Sequence, residues 1–273
     1  MPPCRQGAAP DTLLRACYNR AMAKRPARPL APDFDPARYT CWVRARRAIG
    51  YCLWWLVAWA CCALFARWRR VGWRRLPAGP QILACTHFSH VDFAFACVSA
   101  GRKLDWATAA DLFEHGLGRR IYTSFDTFPV QRGRLDVVGL RVARDRLARG
   151  RVVAICPEGG IRTGASSVLA GAELKLGAAT LAQLTGLAIR PMVCLGTDQF
   201  YVRQAWFRRA RVLIGLGEPL HARTDLPPRE ARLELTQRLA DALRALYAEL
   251  AARPEVTSAM LPRTAQERWA ELC

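Results

Sequence analysis

Short apolar runs alternate with longer amphipathic stretches from residue 81 onward. The short runs predict strands at residues 81–85, 104–107, 127–131, 151–156, 188–195 and 210–216. Apolar residues at helical spacing predict helices at residues 91–100, 135–149, 173–185 and 229–251. Strands that alternate with helices are typical of a parallel sheet covered on both faces. The predicted fold class is therefore α/β, with a largely parallel sheet flanked by helices.

A longer apolar segment precedes this pattern. Residues 49–66 carry no charged side chain, and arginines flank them on both sides. As a helix the segment would extend about 27 Å, close to the ~30 Å hydrocarbon core of a bilayer. Its many tryptophans suit the interface between lipid and water. A helix embedded in one leaflet, a tight hairpin, a true span and the core helix of a soluble protein are all compatible with this pattern.

The composition changes at several points and predicts four parts of the chain. Residues 1–36 are basic and rich in proline, and residues 37–74 form a membrane-associated helical segment. The sequence RLPAGP indicates a boundary before the α/β domain, which is predicted at residues 75–253. Residues 254–273 are predicted to be a loosely attached tail.

Positive charge is concentrated in the first part of the chain. The formal net charge is +19, and residues 1–80 hold 15 Arg and Lys against 3 Asp, a net +12. Clustered arginine attracts either nucleic acid or an anionic membrane surface. We expect the membrane surface and no nucleic acid, because the arginines surround the apolar segment and no recognition-helix, RNA-binding or zinc-finger pattern occurs.

Cysteine usage indicates the compartment. The chain has 11 cysteines, none in a C-x-x-C pair and several inside apolar runs. Cysteines of this kind are reduced thiols that pack as small apolar residues. We therefore expect a domain that faces the cytoplasm.

The sequence CTHFSHVD, residues 85–92, directly follows the first predicted strand. The H-x-H-x-D-H pattern of metallo-hydrolases does not fit, because the two histidines are three apart and Phe93 follows Asp92, so no metal is expected. A proton-transfer pair fits better, with His87 in the loop and Asp92 in the first helical turn. Asp92 would hold one imidazole nitrogen and leave the other to accept a proton from a hydroxyl. A polar loop without a chemical role is the alternative interpretation.

Three further blocks follow in order: TFPVQRG at residues 127–133, CPEGGIRTG at 156–164 and LAIRPMV at 187–193. Together with the H-x4-D block they resemble the glycerolipid acyltransferases, the 1-acyl-sn-glycerol-3-phosphate acyltransferase family. The resemblance implies that His87 deprotonates the acceptor hydroxyl and that Asp92 orients and charges it. It also implies that the hydroxyl oxygen attacks an acyl thioester directly, with no metal and no covalent acyl-enzyme.

The same resemblance implies a pocket for the phosphate of the acceptor. Its residues would be Arg132 in the second block and Glu158, Gly159 and Arg162 in the third. Arginine suits this role because its planar fork binds two phosphate oxygens at once. The third block departs from the family, since two residues separate Gly159 from Arg162 where one is usual.

The resemblance finally implies a reaction and its partners. An acyl chain would pass from acyl-CoA or acyl carrier protein (acyl-ACP) to a lysophospholipid, giving phosphatidic acid if the hydroxyl is position sn-2 of 1-acylglycerol 3-phosphate. Another lysoglycerophospholipid and a lyso-ornithine lipid are alternative acceptors. No cofactor is expected beyond the acyl thioester. A non-enzymatic basic membrane-binding protein is the alternative of another class.

Overall fold

Seven strands form one mixed sheet in the described part of the chain, which in this computed structural model is residues 39–114, 116–131 and 136–270. The strands are β1 (Ala66–Val71), β2 (Gln81–Cys85), β3 (Leu104–Ala109), β4 (Phe128–Val130), β5 (Val152–Ile155), β6 (Ile189–Leu195) and β7 (Ala210–Leu216). Their order is β1-β7-β6-β2-β5-β3-β4. Strands β2 to β6 run parallel to one another, and β7 is antiparallel to β6. The predicted α/β fold with a largely parallel sheet is confirmed.

Eight α-helices accompany the sheet over the same residues. They are α1 (Cys41–Phe65), α2 (Asp92–Ala100), α3 (Gly116–Ser124), α4 (Val137–Ala148), α5 (Gly177–Thr185), α6 (Arg203–Arg208), α7 (Pro228–Ala251) and α8 (Ala265–Ala270). Every strand and helix predicted from residue 81 onward is present, with boundaries that differ by a few residues. The predicted segment 1–36 lies outside the described residues.

The edge strand β1 is a difference from the sequence analysis. It directly follows α1 and pairs in parallel with β7, from Ala66 opposite Ala210 to Val71 opposite Gly215. Its four central residues are three arginines and a tryptophan, and two of them are exposed. In the sequence this strand therefore looks like part of the basic flank of the apolar segment. The sheet therefore includes a strand that lies before residue 75, where the predicted α/β domain begins. The division of the chain into domains stays a prediction.

The centre of the sheet is fully covered. All five residues of β2 are buried, because the strand lies between β5 and β6 and helices pack on both faces. Side chains such as Leu83 and Met192 are completely inaccessible to solvent. The central strand therefore gives a rigid base to the loop that follows Cys85.

A buried ion cluster lies where strands β3 and β5 begin. Arg151 Nη2 is 2.5 Å from both Asp105 Oδ1 and Asp126 Oδ2, and Lys103 Nζ is 2.6 Å from Asp126 Oδ2. Arg146, which is fully buried, pairs with the same two carboxylates. Burial alone would raise the pKa of Asp126, but the three cations outweigh it and hold the pKa well below its usual range. This cluster stabilises the edge of the sheet opposite the candidate site.

The C-terminal segment is docked rather than loosely attached. Arg268 is 2% exposed, and its Nε and Nη2 atoms lie 2.8 and 2.5 Å from Asp198 Oδ2. Met260 is also buried, and Trp269 Nε1 donates to the Tyr201 carbonyl at 3.1 Å. The segment, which was expected to be a loose tail, therefore packs on the turn that follows β6.

Candidate active site

Loops after three neighbouring strands converge at one edge of the sheet. Because β5, β2 and β6 are adjacent and parallel, their carboxyl ends lie together. His87 follows β2, Glu158 follows β5 and Thr197 follows β6. The candidate site is therefore built from the part of the fold where α/β proteins bind ligands.

His87 and Asp92 are in direct contact. His87 Nδ1 lies 3.0 Å from Asp92 Oδ2. Since an ionised carboxylate only accepts hydrogen bonds, Nδ1 carries the proton and Nε2 is left free to accept one. The His87 side chain is 23% exposed, whereas that of Asp92 is 3% exposed. The pair thus places a partly exposed imidazole beside a buried carboxylate that engages only one of its nitrogens, which is the geometry of a general base.

Asp92 is held by its own loop and by one residue of a distant loop. Its Oδ2 atom accepts from the amides of Phe88 at 2.7 Å and Ser89 at 2.8 Å, and its Oδ1 atom accepts from the hydroxyl of Thr197. Helix α2 begins at Asp92, with Val91 as its N-cap residue. The carboxylate turns back from the first helical residue and fixes the strand-to-helix loop around the histidine.

Glu158 ties the third block to the histidine loop. Its Oε2 atom accepts from the amide of His87 at 3.2 Å, and its Oε1 atom accepts from Ser167 Oγ at 3.0 Å and the Val168 amide at 2.8 Å. Burial raises the pKa of Glu158, although these donors oppose the rise. Both oxygens are engaged with the protein, so this side chain organises the loops instead of facing a ligand.

Replacing Glu158 tests that organising role. We expect Glu158→Gln to lower the free energy of unfolding by about 1–3 kcal/mol, because the new amide group would face a buried donor and leave it unpaired. For a domain of this size that loss corresponds to roughly 2–4 °C in Tm per kcal/mol. Thermal unfolding of the variant measures this change in Tm. The control is Glu173→Gln, which changes an exposed glutamate in the same way. Equal Tm values for the two variants would contradict the role.

Gly159 and Arg162 complete the third block. Gly159 has φ +78°, a backbone conformation that favours glycine and turns the chain after Glu158. The amide of Arg162 donates to the His87 carbonyl at 2.9 Å, so the two loops are bonded directly. The Arg162 side chain is exposed, and it has neither a hydrogen bond nor an ion pair within the described ranges. Arg132 lies outside the described residues.

Two residues near the site were not predicted. Thr197 is fully buried against Asp92, and Lys175 is an exposed cation whose side chain runs alongside Gly159. Thr197 follows a strand that the sequence does predict, so the convergence of strand ends would have pointed to it. Lys175 is preceded by residues without regular periodicity, and no sequence signal singles it out.

Comparison with known proteins identifies the class. Residues 69–195 match the family model described as Acyltransferase, a range that contains His87, Asp92, Glu158, Gly159 and Arg162. These residues form an acyltransferase domain. The predictions of an acyltransferase and of an enzyme are thereby confirmed, and the non-enzymatic alternative is set aside. A search among curated proteins finds no match.

One solved structure shows the same fold as this acyltransferase. It is the 1-acyl-sn-glycerophosphate (LPA) acyltransferase PlsC from Thermotoga maritima, with a TM-score of 0.55 and 17% sequence identity. The similarity covers 90% of this chain and 91% of that one. At this identity the likeness establishes the fold, while the roles of individual residues stay predictions.

Cysteine and carboxylate side chains lie close together in the acyltransferase domain. The described residues contain no group of three or more His, Cys, Asp and Glu side chains placed to hold a metal ion. Cys156 lies near Asp92, and its burial raises the pKa of the thiol well above its usual range, with Asp92 and Glu158 adding to the rise. The thiol therefore stays protonated and is a poor nucleophile.

Proposed function

We propose that this acyltransferase moves a fatty acyl chain from acyl-CoA or acyl-ACP to the hydroxyl of a lysophospholipid, with position sn-2 of 1-acylglycerol 3-phosphate as the leading acceptor. The observation that carries the proposal is the bonded pair of His87 and Asp92 beside an exposed arginine, Arg162. A base and a cation on two loops whose backbones are bonded to each other suit an acceptor that has both a hydroxyl and a phosphate.

The proposed reaction is a direct transfer. His87 Nε2 takes the proton of the acceptor hydroxyl while the oxygen attacks the thioester carbonyl. The new C–O bond forms as the C–S bond breaks. The leaving thiolate then takes the proton from the imidazolium, which returns His87 to its neutral form. Asp92 stabilises the imidazolium that exists between the two proton transfers. No electron acceptor or metal enters this balance.

Arg162 and Arg132 are proposed to hold the phosphate of the acceptor. Arg162 has no partner within the described part of the chain, and its backbone is bonded to that of the proposed base. Lys175 adds a second exposed cation, whose side chain lies beside Gly159 of the same block. Glu158 and Gly159 would act on this pocket by shaping its loop.

Purified protein in detergent tests the reaction. Incubation with acyl-CoA or acyl-ACP and 1-acylglycerol 3-phosphate should give phosphatidic acid and free thiol in equal amounts. The spacing between Gly159 and Arg162 in the third block is longer than usual in the family. Lyso-ornithine lipid and another lysoglycerophospholipid are therefore the acceptors to compare with 1-acylglycerol 3-phosphate. Transfer to none of the lipid hydroxyls would contradict the proposed function.

Helix α1 is proposed to lie in one leaflet of an anionic membrane, with the acyltransferase domain on the cytoplasmic side. It is the one helix among the described residues that is long and apolar enough to cross a membrane. Its inner side packs on the domain along its length: Arg47 pairs with Asp126 at 3.2 Å, and the ring of Phe65 lies 5.3 Å from that of Trp206. A helix covered on one side by protein leaves only the opposite side for lipid.

The free side of α1 forms an exposed apolar stripe. We define this stripe by its exposed members, which are Ile49, Leu53, Leu56, Val57 and Leu64. Helices α3 and α6, which contact α1, add the exposed side chains of Leu117, Ile121 and Phe207. Exposed apolar patches rimmed by arginine are typical of surfaces that bind anionic lipid.

Charges placed on the stripe test this orientation. We expect Leu53→Glu/Val57→Glu to abolish most flotation with vesicles of phosphatidylcholine and phosphatidylglycerol, because each glutamate must enter the lipid interface. The matched control is Leu233→Glu, a half-exposed leucine on α7 that should leave flotation unchanged. Unchanged flotation of the double variant would show that another surface makes the membrane contact.

A further inference from the structure

Asp92 bonds its two oxygens to different parts of the chain. Oδ2 accepts from His87 Nδ1 and from two amides of the same loop, whereas Oδ1 accepts from the hydroxyl of Thr197, 105 residues away in sequence. We propose that Thr197 is a positioning residue of the acyl-transfer site, which fixes the Asp92 carboxylate and through it the ring of His87. The proposal rests on the proposed function, in which His87 is the base.

The contact matters because of where it lies. Thr197 is fully buried and Asp92 is 2% exposed, so water has little access to replace the hydroxyl. Without Thr197, the three donors on Oδ2 would be the carboxylate's only hydrogen-bond partners, and the group could rotate about that atom. A donor on Oδ1 removes the freedom, and a hydrogen bond to a charged group in a dry site is stronger than one in water.

A tight turn delivers Thr197 to this point. Gly196 follows β6 with φ +93°, and a Cβ atom there would lie 2.5 Å from the Arg211 carbonyl oxygen. Any other residue at position 196 would therefore push the turn away from β7. The geometry of the turn is set by the sheet on one side.

The C-terminal segment holds the turn on the other side. Asp198, which is next to Thr197 and fully buried, accepts from the Arg263 amide at 2.9 Å and from Arg268 Nε and Nη2 at 2.8 and 2.5 Å. Removing one partner of a buried ion pair leaves an uncompensated charge and is strongly destabilising, so the position of Asp198 depends on Arg268. We therefore assign to Arg268 an indirect effect on His87, carried by Asp198, Thr197 and Asp92 in turn.

Thr197→Val tests the first part of the proposal. Valine has the shape of threonine without the hydroxyl, so we expect kcat to fall about tenfold with KM for both substrates unchanged. Thr197→Ser restores the donor and should recover most of the activity. Thr236→Val is the matched control, because Thr236 is also buried but donates within helix α7, to the Arg232 carbonyl at 2.7 Å.

A second measurement does not depend on turnover. The ring ¹⁵N chemical shifts of His87 should change in Thr197→Val and stay unchanged in Thr236→Val, with the exposed His221 as an internal reference. Unchanged shifts in both variants would overturn the positioning role, as would a Thr197→Val enzyme as fast as the wild type when His87→Ala is inactive. A wild type that acylates no lipid would overturn the proposed function instead, while the shifts would still decide the role of Thr197.

A double-mutant cycle tests the part played by Arg268. Arg268→Lys keeps the positive charge that buried Asp198 requires but loses the two-pronged contact, so the fold should survive. We expect a fall in kcat of about threefold alone, and no further fall when it is combined with Thr197→Val, because both act through one hydroxyl. The indirect role would be overturned if the two decreases in kcat multiplied in the double variant. It would also be overturned if Arg268→Lys kept the kcat of the wild type.

Discussion

His87→Ala is expected to lower kcat by roughly 10²- to 10⁴-fold, the usual contribution of a general base. KM for the acceptor should change little, since the imidazole acts on the proton that is transferred in the transition state. The variant should fold, because Glu158 and Arg162 bond to the backbone of residue 87 and not to its side chain. Steady-state kinetics with acyl-CoA and 1-acylglycerol 3-phosphate, beside thermal unfolding of the same samples, measure both expectations.

His90→Ala is the matched control for this experiment. His90 lies three residues further on, is exposed, and has its ring 6.3 Å from that of Tyr201. Its removal should leave kcat within a few-fold of the wild type. If His90→Ala abolished transfer and His87→Ala did not, the assignment of the base would be wrong.

Arg162→Ala is expected to raise KM for 1-acylglycerol 3-phosphate by about 10- to 150-fold, the equivalent of roughly 1.5–3 kcal/mol for a charge-assisted hydrogen bond. The value of kcat should fall much less, because the phosphate is bound equally in the ground and transition states. His87→Ala should do the opposite, lowering kcat and leaving KM nearly unchanged. Kinetics with a phosphate-free monoacylglycerol complete the test, since the wild type should prefer the phosphorylated acceptor and the variant should narrow that preference.

Arg229→Ala controls for the loss of an exposed positive charge. Arg244 on α7 lies near the site, because its Nη1 atom donates to the Val168 carbonyl in the loop held by Glu158. Arg229 is about 22 Å further along the same helix and is therefore far from the site. Its removal should leave KM unchanged. Equal use of both acceptors by the wild type would mean that Arg162 does not recognise a phosphate.

The sequence predicts the local structure of the site well, because each block follows an apolar strand. His87 and Asp92 are five residues apart, and the strand-to-helix turn brings them together as expected. Arg162 also reaches the same loop, despite the extra residue in its block. Short-range geometry of this kind follows from where a strand ends and a helix begins.

Contacts between distant segments were not predictable in the same way. Thr197 meets Asp92 across 105 residues, and Arg268 meets Asp198 across 70. A lone threonine or arginine has no periodicity, so only the order of strands in the sheet places it. Strand β1 was missed for a related reason, since its arginines obscure the apolar residues that would mark a strand.

Helix α1 passes into strand β1 without a connecting residue, since the helix ends at Phe65 and the strand begins at Ala66. Such a junction has no slack, so helix and sheet tilt and rotate as one body. An enzyme on a long tether would meet its substrates at many depths and angles. Here the fold fixes the position of His87 relative to the apolar stripe, so with α1 in the leaflet as proposed, the imidazole of the proposed base would meet every lipid hydroxyl at the same level of the membrane.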